Sequence, residues 1–189
     1  MARRPKPPAE PTEATLREAA LLYLARYAAT RQGLLRVLDR KIARWTASGE
    51  GDSHRAADAR AAARRVAARL AESGAVSDAA FAQSRGRSLQ RAGKSARAIG
   101  AHLSAKGVSR EIAAESVRAS PEKELAAAAI HARRRRLGAF RTGADSPELR
   151  RRELASMARA GFAQAVASQA LRMSREDAEA LIATFRAAL

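Results

Sequence analysis

The sequence predicts an all-α protein made of tandem three-helix units, three repeats that together form an elongated, curved helical body. Three observations predict it. Of the 88 apolar residues in a chain of 189, 50 are alanine, the best helix former because it loses no side-chain entropy on ordering. Only 11 Val and Ile and 7 aromatic residues are present, too few for the half-buried strands of a sheet. Helix start and stop signals recur along nearly the whole chain. Leu, Ile, Val and Phe total 32, so each helix carries a thin apolar stripe and the units must stack to bury it.

Residues 1–13, with Pro5, Pro7, Pro8 and Pro11 beside Arg3, Arg4 and Lys6, read as a disordered basic tail. The first unit spans 14–73. Thr15 and Glu18 form a capping box, and Leu16, Ala20, Tyr23, Leu24 and Tyr27 share one face. Thr30 opens a second helix with Leu34, Leu38, Ile42 and Trp45 inward. A third runs from Ser53 through Ala59, Ala62, Val66 and Leu70 to Gly74.

The second unit spans 74–119. Ser77 caps a helix that turns Phe81 and Leu89 inward and stops at Gly93. Ser95 caps the next, with Ile99 and Leu103, which ends at Gly107. Ser109 caps a short one with Ile112 and Val117. The third unit, 120–173, starts at Ser120-Pro121-Glu122: an N-cap, a first-turn proline and an acid at the positive end of the dipole. Its first helix carries Leu125, Ala128, Ala129, Ala132 and Leu137, and 138–145 is a loop. Ser146-Pro147-Glu148 repeats the start signal for a helix with Leu149, Leu154 and Met157. Gly161 ends it, and Phe162, Val166 and Leu171 lie on the next. Ser174 and Asp177 then box a C-terminal helix, 174–189, with Ala178, Leu181, Ile182, Phe185 and Leu189 on one stripe.

The chain repeats itself. Leu103, Gly107, Val108, Ile112 and Val117 recur 54 residues later as Met157, Gly161, Phe162, Val166 and Leu171. That is a helix, a left-handed glycine turn and a short helix, with the residue after glycine closing the core.

Several function classes are excluded by composition. There is no cysteine, hence no disulfide, thiol catalysis or cysteine zinc motif. His54, His102 and His131 lie far apart and show no metal-ligand spacing. No phosphate loop, nucleophile elbow or paired-carboxylate site occurs, so the reading is a non-enzyme without metal or cofactor and without a small-molecule substrate. The longest apolar run is the seven residues 19–25, too short to span a membrane. The basic, proline-rich start is a poor secretory signal, and a cytoplasmic monomer is expected.

The central stretch carries a family pattern. It runs Gly74-Ala75-Val76-Ser77-Asp78-Ala79-Ala80-Phe81-Ala82, then Arg91-Ala92-Gly93-Lys94, then Ile99 and His102-Leu103-Ser104-Ala105-Lys106-Gly107-Val108. It resembles the RecX regulatory proteins, closely over 74–117 and more loosely to Gly161-Phe162. Ser77 stands where the family usually has an acid. The first unit matches only in outline, as Ala20 to Arg26, and the family's start after the first helix is blurred to Thr30-Arg31-Gln32-Gly33-Leu34. The resemblance implies three tandem three-helix units, with Asp78, Phe81, Ala82, Gly93, Leu103, Gly107, Val108, Gly161 and Phe162 in structural roles. It also implies a function: binding the RecA filament on single-stranded DNA and restraining its activities in repair, recombination and the SOS response.

Charge agrees with such a partner. Lys and Arg total 36 against 19 acids, a net charge of +17. From Ala79 to Arg110 there is no acid, while Arg85, Arg87, Arg91, Lys94, Arg97, Lys106 and Arg110 are all cationic. A second acid-free stretch, Leu125 to Ala144, holds Arg133, Arg134, Arg135, Arg136 and Arg141, and Arg150, Arg151 and Arg152 follow. Candidate contacts to the filament and, weakly and without sequence preference, to single-stranded DNA are Arg85, Arg87, Arg91, Lys94, Arg97, Lys106, Arg133, Arg134, Arg150 and Arg151. The bland alternative is a solvated arginine face set by GC-rich codons. Asp78 reads as a first-turn cap of its own helix, His102 as a boundary residue, and Trp45 and Tyr27 as core residues ahead of base-stacking platforms. The competing function is a stand-alone basic DNA-binding or architectural protein. The absence of asparagine argues against a base-reading helix.

Overall fold

A computed structural model of the chain describes residues 8–118 and 120–188. Among them are ten α-helices and no strand: α1 (Glu13–Leu24), α2 (Arg31–Ala47), α3 (Ser53–Glu72), α4 (Asp78–Arg91), α5 (Ala96–Ala105), α6 (Arg110–Ser116), α7 (Pro121–Arg135), α8 (Pro147–Arg159), α9 (Gln164–Arg172) and α10 (Arg175–Ala187). A 3-10 turn, Gly138–Phe140, lies within the stretch expected to be a plain loop. The chain divides into two compact units. One holds the residues up to Phe81 with Lys106–Val108; the other holds Ala82–Ala105 and the residues from Ser109 onward.

In the first unit, α1, α2 and α3 pack on one another. Leu16 and Ala20, Leu34, Leu38 and Ile42, and Ala56, Ala63, Val66 and Leu70 form one core. The α2 stripe at four- and three-residue steps is buried as its spacing requires, including Trp45, only 2% exposed, with the Arg55 guanidinium 4.9 Å above its ring. Tyr27 departs from expectation. The helix ends at Leu24, so Tyr27 leaves its face and is 58% exposed, its ring 5.1 Å from that of Tyr23. The N-cap of α1 is Thr12, not Thr15. Thr15 instead donates its hydroxyl to the Glu10 carbonyl at 2.7 Å. Helix α3 begins at Ser53 as its pattern indicates, capped by Asp52. Residues 8–13 are not the end of a free tail: Pro11 is buried, Glu10 pairs with Arg55 at 2.6 Å, and Glu13 pairs with Arg65 at 3.1 Å and with Arg69. Prolines and basic residues suggested disorder, but Arg55, Arg65 and Arg69 of α3 hold both acids of the segment, Glu10 and Glu13. Residues 1–7 lie outside the described residues.

In the second unit α7 is central. Ala126, Ala129 and Ile130 pack with Ala178, Ile182 and Phe185 of α10, while Ala127 and Ala128 pack with Met157 of α8, Phe162 of the turn after it, and Ala167 and Ala170 of α9. Alanine on both faces lets neighbouring helices come close, which is how a chain poor in large apolar residues still encloses a core. Leu89, expected inward, is half-buried on α4, as is Phe81 at the edge of the first unit; the fully buried positions of α4 are Ala82 and Gly86.

The glycine turns repeat one arrangement. Gly107 and Gly161 both have φ +91°, a left-handed conformation that costs a side-chain-bearing residue roughly 1–2 kcal/mol. Leu103 and Met157 before them are 0% exposed, and Val108 and Phe162 after them 4%. The carbonyl preceding each glycine accepts a hydroxyl from a distant helix start: Thr30 Oγ1 donates to Lys106 O at 2.6 Å, and Ser95 Oγ to Ala160 O at 2.7 Å. Each hydroxyl also accepts a cap bond from its own helix, from Gly33 N at 2.8 Å and from Ala98 N at 3.2 Å. The next backbone N–H then goes to a carboxylate from elsewhere. Arg31 N donates to Asp78 Oδ1 at 2.7 Å, and Ala96 N to the Glu124 carboxylate at 3.0 and 3.2 Å. Asp78 therefore caps α2 across 47 residues of chain; Ser77 caps α4, accepting from Ala80 N at 3.1 Å.

Candidate functional site

Helix α4, its closing turn and the first turn of α5 present the acid-free stretch. Arg85, Arg87, Arg91, Lys94 and Arg97 are all exposed. Among the described residues none of the five forms an ion pair. Arg85 Nε lies 3.3 Å from His102 Nε2. The inward positions that set this face are Ala82, Gly86, Ile99 and Leu103, all buried. Lys106 is exposed but belongs to the first unit, where its carbonyl is engaged by Thr30.

The turn between α4 and α5 lies against the end of α7. Gly93, with φ +72°, comes so close that a Cβ there would sit 2.6 Å from Ile130 Cγ2. This approach forms a cavity of about 290 Å³ lined by Ala92, Gly93, Lys94, His131, Arg134 and Arg135. Arg134 Nη1 donates to Ala92 O at 2.7 Å and ties α7 to the turn. His131 is half-buried, its ring 5.6 Å from that of Phe162, and its buried Nε2 has no hydrogen-bond partner. Burial first, then the charges of Arg135, Lys94 and Arg134, hold the His131 pKa below its ordinary value.

Sequence reasoning named Lys94 and Arg134 but missed Arg135 and His131. The signal was present: residues three and four beyond His131 share its helix face. Arg133 is half-buried, and Arg136 closes α7 in a left-handed conformation at φ +56°. A run of four arginines thus divides between a cavity, a half-buried position and a helix end.

Other predicted cations have different surroundings. Arg150 pairs with Asp145 at 3.1 Å, and Asp145 also pairs with Arg141. Arg141 belongs to the second acid-free stretch, yet it is turned inward. Its Nη2 donates to Glu153 Oε2 at 2.8 Å and its Nε to Glu153 Oε1 at 3.2 Å. Glu153 is 3% exposed and also accepts Gly138 N at 3.0 Å. Arg151 is exposed and lines a separate cavity with Leu154, Phe162 and Ala167. Among the described residues no three His, Asp or Glu side chains lie together as a metal-ligand set, and no helix is long and apolar enough to cross a membrane.

The chain matches a family model described as the second three-helix domain of RecX, over residues 77–117. It is 39% identical over 172 residues to a protein of Myxococcus xanthus (strain DK1622) named Regulatory protein RecX, covering 89% of this chain and 90% of that one. The chain belongs to the RecX family. A second RecX regulatory protein, from Agrobacterium fabrum (strain C58 / ATCC 33970), is 34% identical over 108 residues, 57% of this chain and 58% of its own. The crystal structure of RecX from Lactobacillus salivarius matches with a TM-score of 0.61 at 18% identity, covering 85% of this chain and 94% of that one. At that identity the likeness speaks for the helical RecX fold. The RecX domain match spans α4, α5 and α6 and so contains Arg85, Arg87, Arg91, Lys94, Arg97 and Lys106.

Proposed function

We propose that this protein is a regulator, not an enzyme, that docks on the RecA–single-stranded DNA filament and inhibits its recombinase, ATPase and coprotease activities. In that way it modulates DNA repair and the SOS response, acting as a monomer in the cytoplasm. The observation that carries the reading is the exposed, carboxylate-free row Arg85, Arg87, Arg91, Lys94 and Arg97 within the RecX-matching domain. A nucleoprotein filament is a polyanion, and cations without acids among them attract it without internal neutralisation. Arg133, Arg134, Arg150, Arg151 and Lys106 extend the proposed surface, with Arg150 weakened by its pairing to Asp145. Three three-helix units, 14–73, 74–119 and 120–173, with a C-terminal helix 174–189, are the proposed organisation. The recurring hydroxyl-to-carbonyl bonds at Gly107 and Gly161 support it.

The test is the DNA-dependent ATPase of the cognate RecA, with co-sedimentation on RecA filaments and on naked single-stranded DNA at matched salt. Inhibition with preferential filament binding is expected. Full ATPase and strand exchange at a saturating excess of this protein would exclude the reading. Equal binding to naked DNA without effect on RecA would favour the stand-alone DNA-binding alternative.

A further inference from the structure

The cavity between the α4–α5 turn and α7 has a chemistry of its own. We propose that Lys94, His131, Arg134 and Arg135 seat a backbone phosphate of single-stranded nucleic acid there, making this the point where the chain grips the strand of its partner filament. The inference rests on the filament reading above and names the ligand of one part of that surface.

Two elements converge on the cavity, the turn after α4 with Lys94 and the last turns of α7 with Arg134 and Arg135. No carboxylate lines it. The small residues Ala92 and Gly93 form part of the wall, so a ligand can come close to the backbone. The bond from Arg134 to Ala92 O orients that guanidinium and uses one of its five N–H donors. A planar guanidinium fork beside a lysine point charge suits phosphate oxygens.

His131 makes the site readable. Its ring is half-buried among the three cations and has an unsatisfied nitrogen. A negative charge entering the cavity offsets the cations and favours the imidazolium form. Anion binding and proton uptake at His131 are therefore coupled, and each must strengthen the other.

An acidic protein surface is the rival occupant. Protein contacts of high energy centre on Trp, Tyr and Arg held in dry, well-packed pockets; the arginines are present, but beside the charged groups and the imidazole this lining offers only Ala92 and Gly93, too little apolar surface to dry a protein partner. A nucleic-acid strand, with one charge per nucleotide, can also continue onto the exposed cations of α4 and α5.

The experiment uses the full chain and oligothymidylate as probe. The His131 ring resonances are followed by NMR through a pH titration, and affinity is followed against salt. Oligothymidylate should raise the His131 pKa in the parent and leave it unmoved in a Lys94→Gln/Arg135→Gln variant. That variant should also show a salt slope shallower by about 0.7 for the lost phosphate contact. Bound oligothymidylate with His131 unmoved, or an equal response to polyglutamate, overturns the proposal. So does a variant that binds oligothymidylate like the parent yet loses the RecA filament, an outcome that leaves the filament reading intact. A His131 response to oligothymidylate in a protein that ignores RecA filaments would uphold the phosphate seat and remove the filament reading.

Discussion

Gly107 shows how one backbone angle reaches across the chain. At φ +91° an added Cβ is strained, and it would also stand 2.5 Å from Gln32 Cβ. Gly107→Ala should therefore cost roughly 2 kcal/mol, the upper end of the left-handed penalty, because Gln32 must move as well. Gly100 is the control: it is helical, with nothing within 4 Å of an added Cβ, so Gly100→Ala should be neutral or stabilising by about 0.5–1 kcal/mol. Urea unfolding of both variants checks this, and equal midpoints would refute it. His131 gives a pH dependence. Its folded pKa lies below 6.5 because of burial and nearby cations, so on acidification the unfolded chain takes up the proton first. Stability should fall as pH drops through about 6.5, and His131→Gln should flatten that fall between pH 7.5 and 5.5. Glu124 acts in the opposite sense: burial raises its pKa in the folded state, so the native form protonates first and its contribution grows as pH falls toward 4.5. A His131→Gln variant with the parent's acid loss would show that another group is responsible. Both glycine turns were legible in the sequence, because glycine after a helical stripe has few other uses. The setting of His131 was legible only as far as Arg134 and Arg135 on its own helix, because Lys94 arrives from a separate turn.

At the level of elements, capping residues made the helix order readable. Ser, Thr or Asp before an apolar stripe marks a helix start whatever its tertiary setting. The one misplaced start, Thr15 for Thr12, is a shift of three residues between two threonines of equal capping power, whereas α3 begins at Ser53 as read. The position of α7 was hidden for a different reason. Alanine is at home on an exposed or a buried face, so no stripe distinguishes a helix buried on two sides from a surface helix. Asp78 and Glu124 were also hidden in part, since a sequence shows that a carboxylate can cap but not which helix end it reaches. Removing the carboxylate in Asp78→Ala strips Arg31 N of its partner and should cost about 1 kcal/mol, within the range for lost caps. Asp78→Asn, which keeps an acceptor oxygen, should recover most of it. Urea midpoints of the two variants decide: equal losses would mean that the Asp78–Arg31 bond is not the source.

For the whole molecule, the net charge of +17 governs long-range attraction to any polyanion. Reversing three exposed charges in Arg85→Glu/Arg91→Glu/Arg97→Glu should leave the fold nearly intact, because such surface changes usually fall within about 0.5 kcal/mol each. The same changes should strongly weaken filament binding, since attraction becomes repulsion. Glu179→Lys on α10, an exposed residue paired with Arg175, should matter far less. A filament titration with circular dichroism as the fold check tests this, and a folded triple variant that still binds and inhibits like the parent would refute it. The charge total and the acid-free row on α4 and α5 were legible in the sequence, but the fate of the second acid-free stretch was not. Arg141 counts toward the sum, yet Glu153 holds it inward. That half-buried pair has a practical consequence. At about 1 M salt the Debye length is only about 3 Å, so exposed cations would lose any hold on nucleic acid, whereas a partly buried pair is screened much less. A molar-salt wash should strip any nucleic acid that co-purifies while the loop fastened by Arg141 and Glu153 keeps its shape, so the protein can be prepared clean without being refolded.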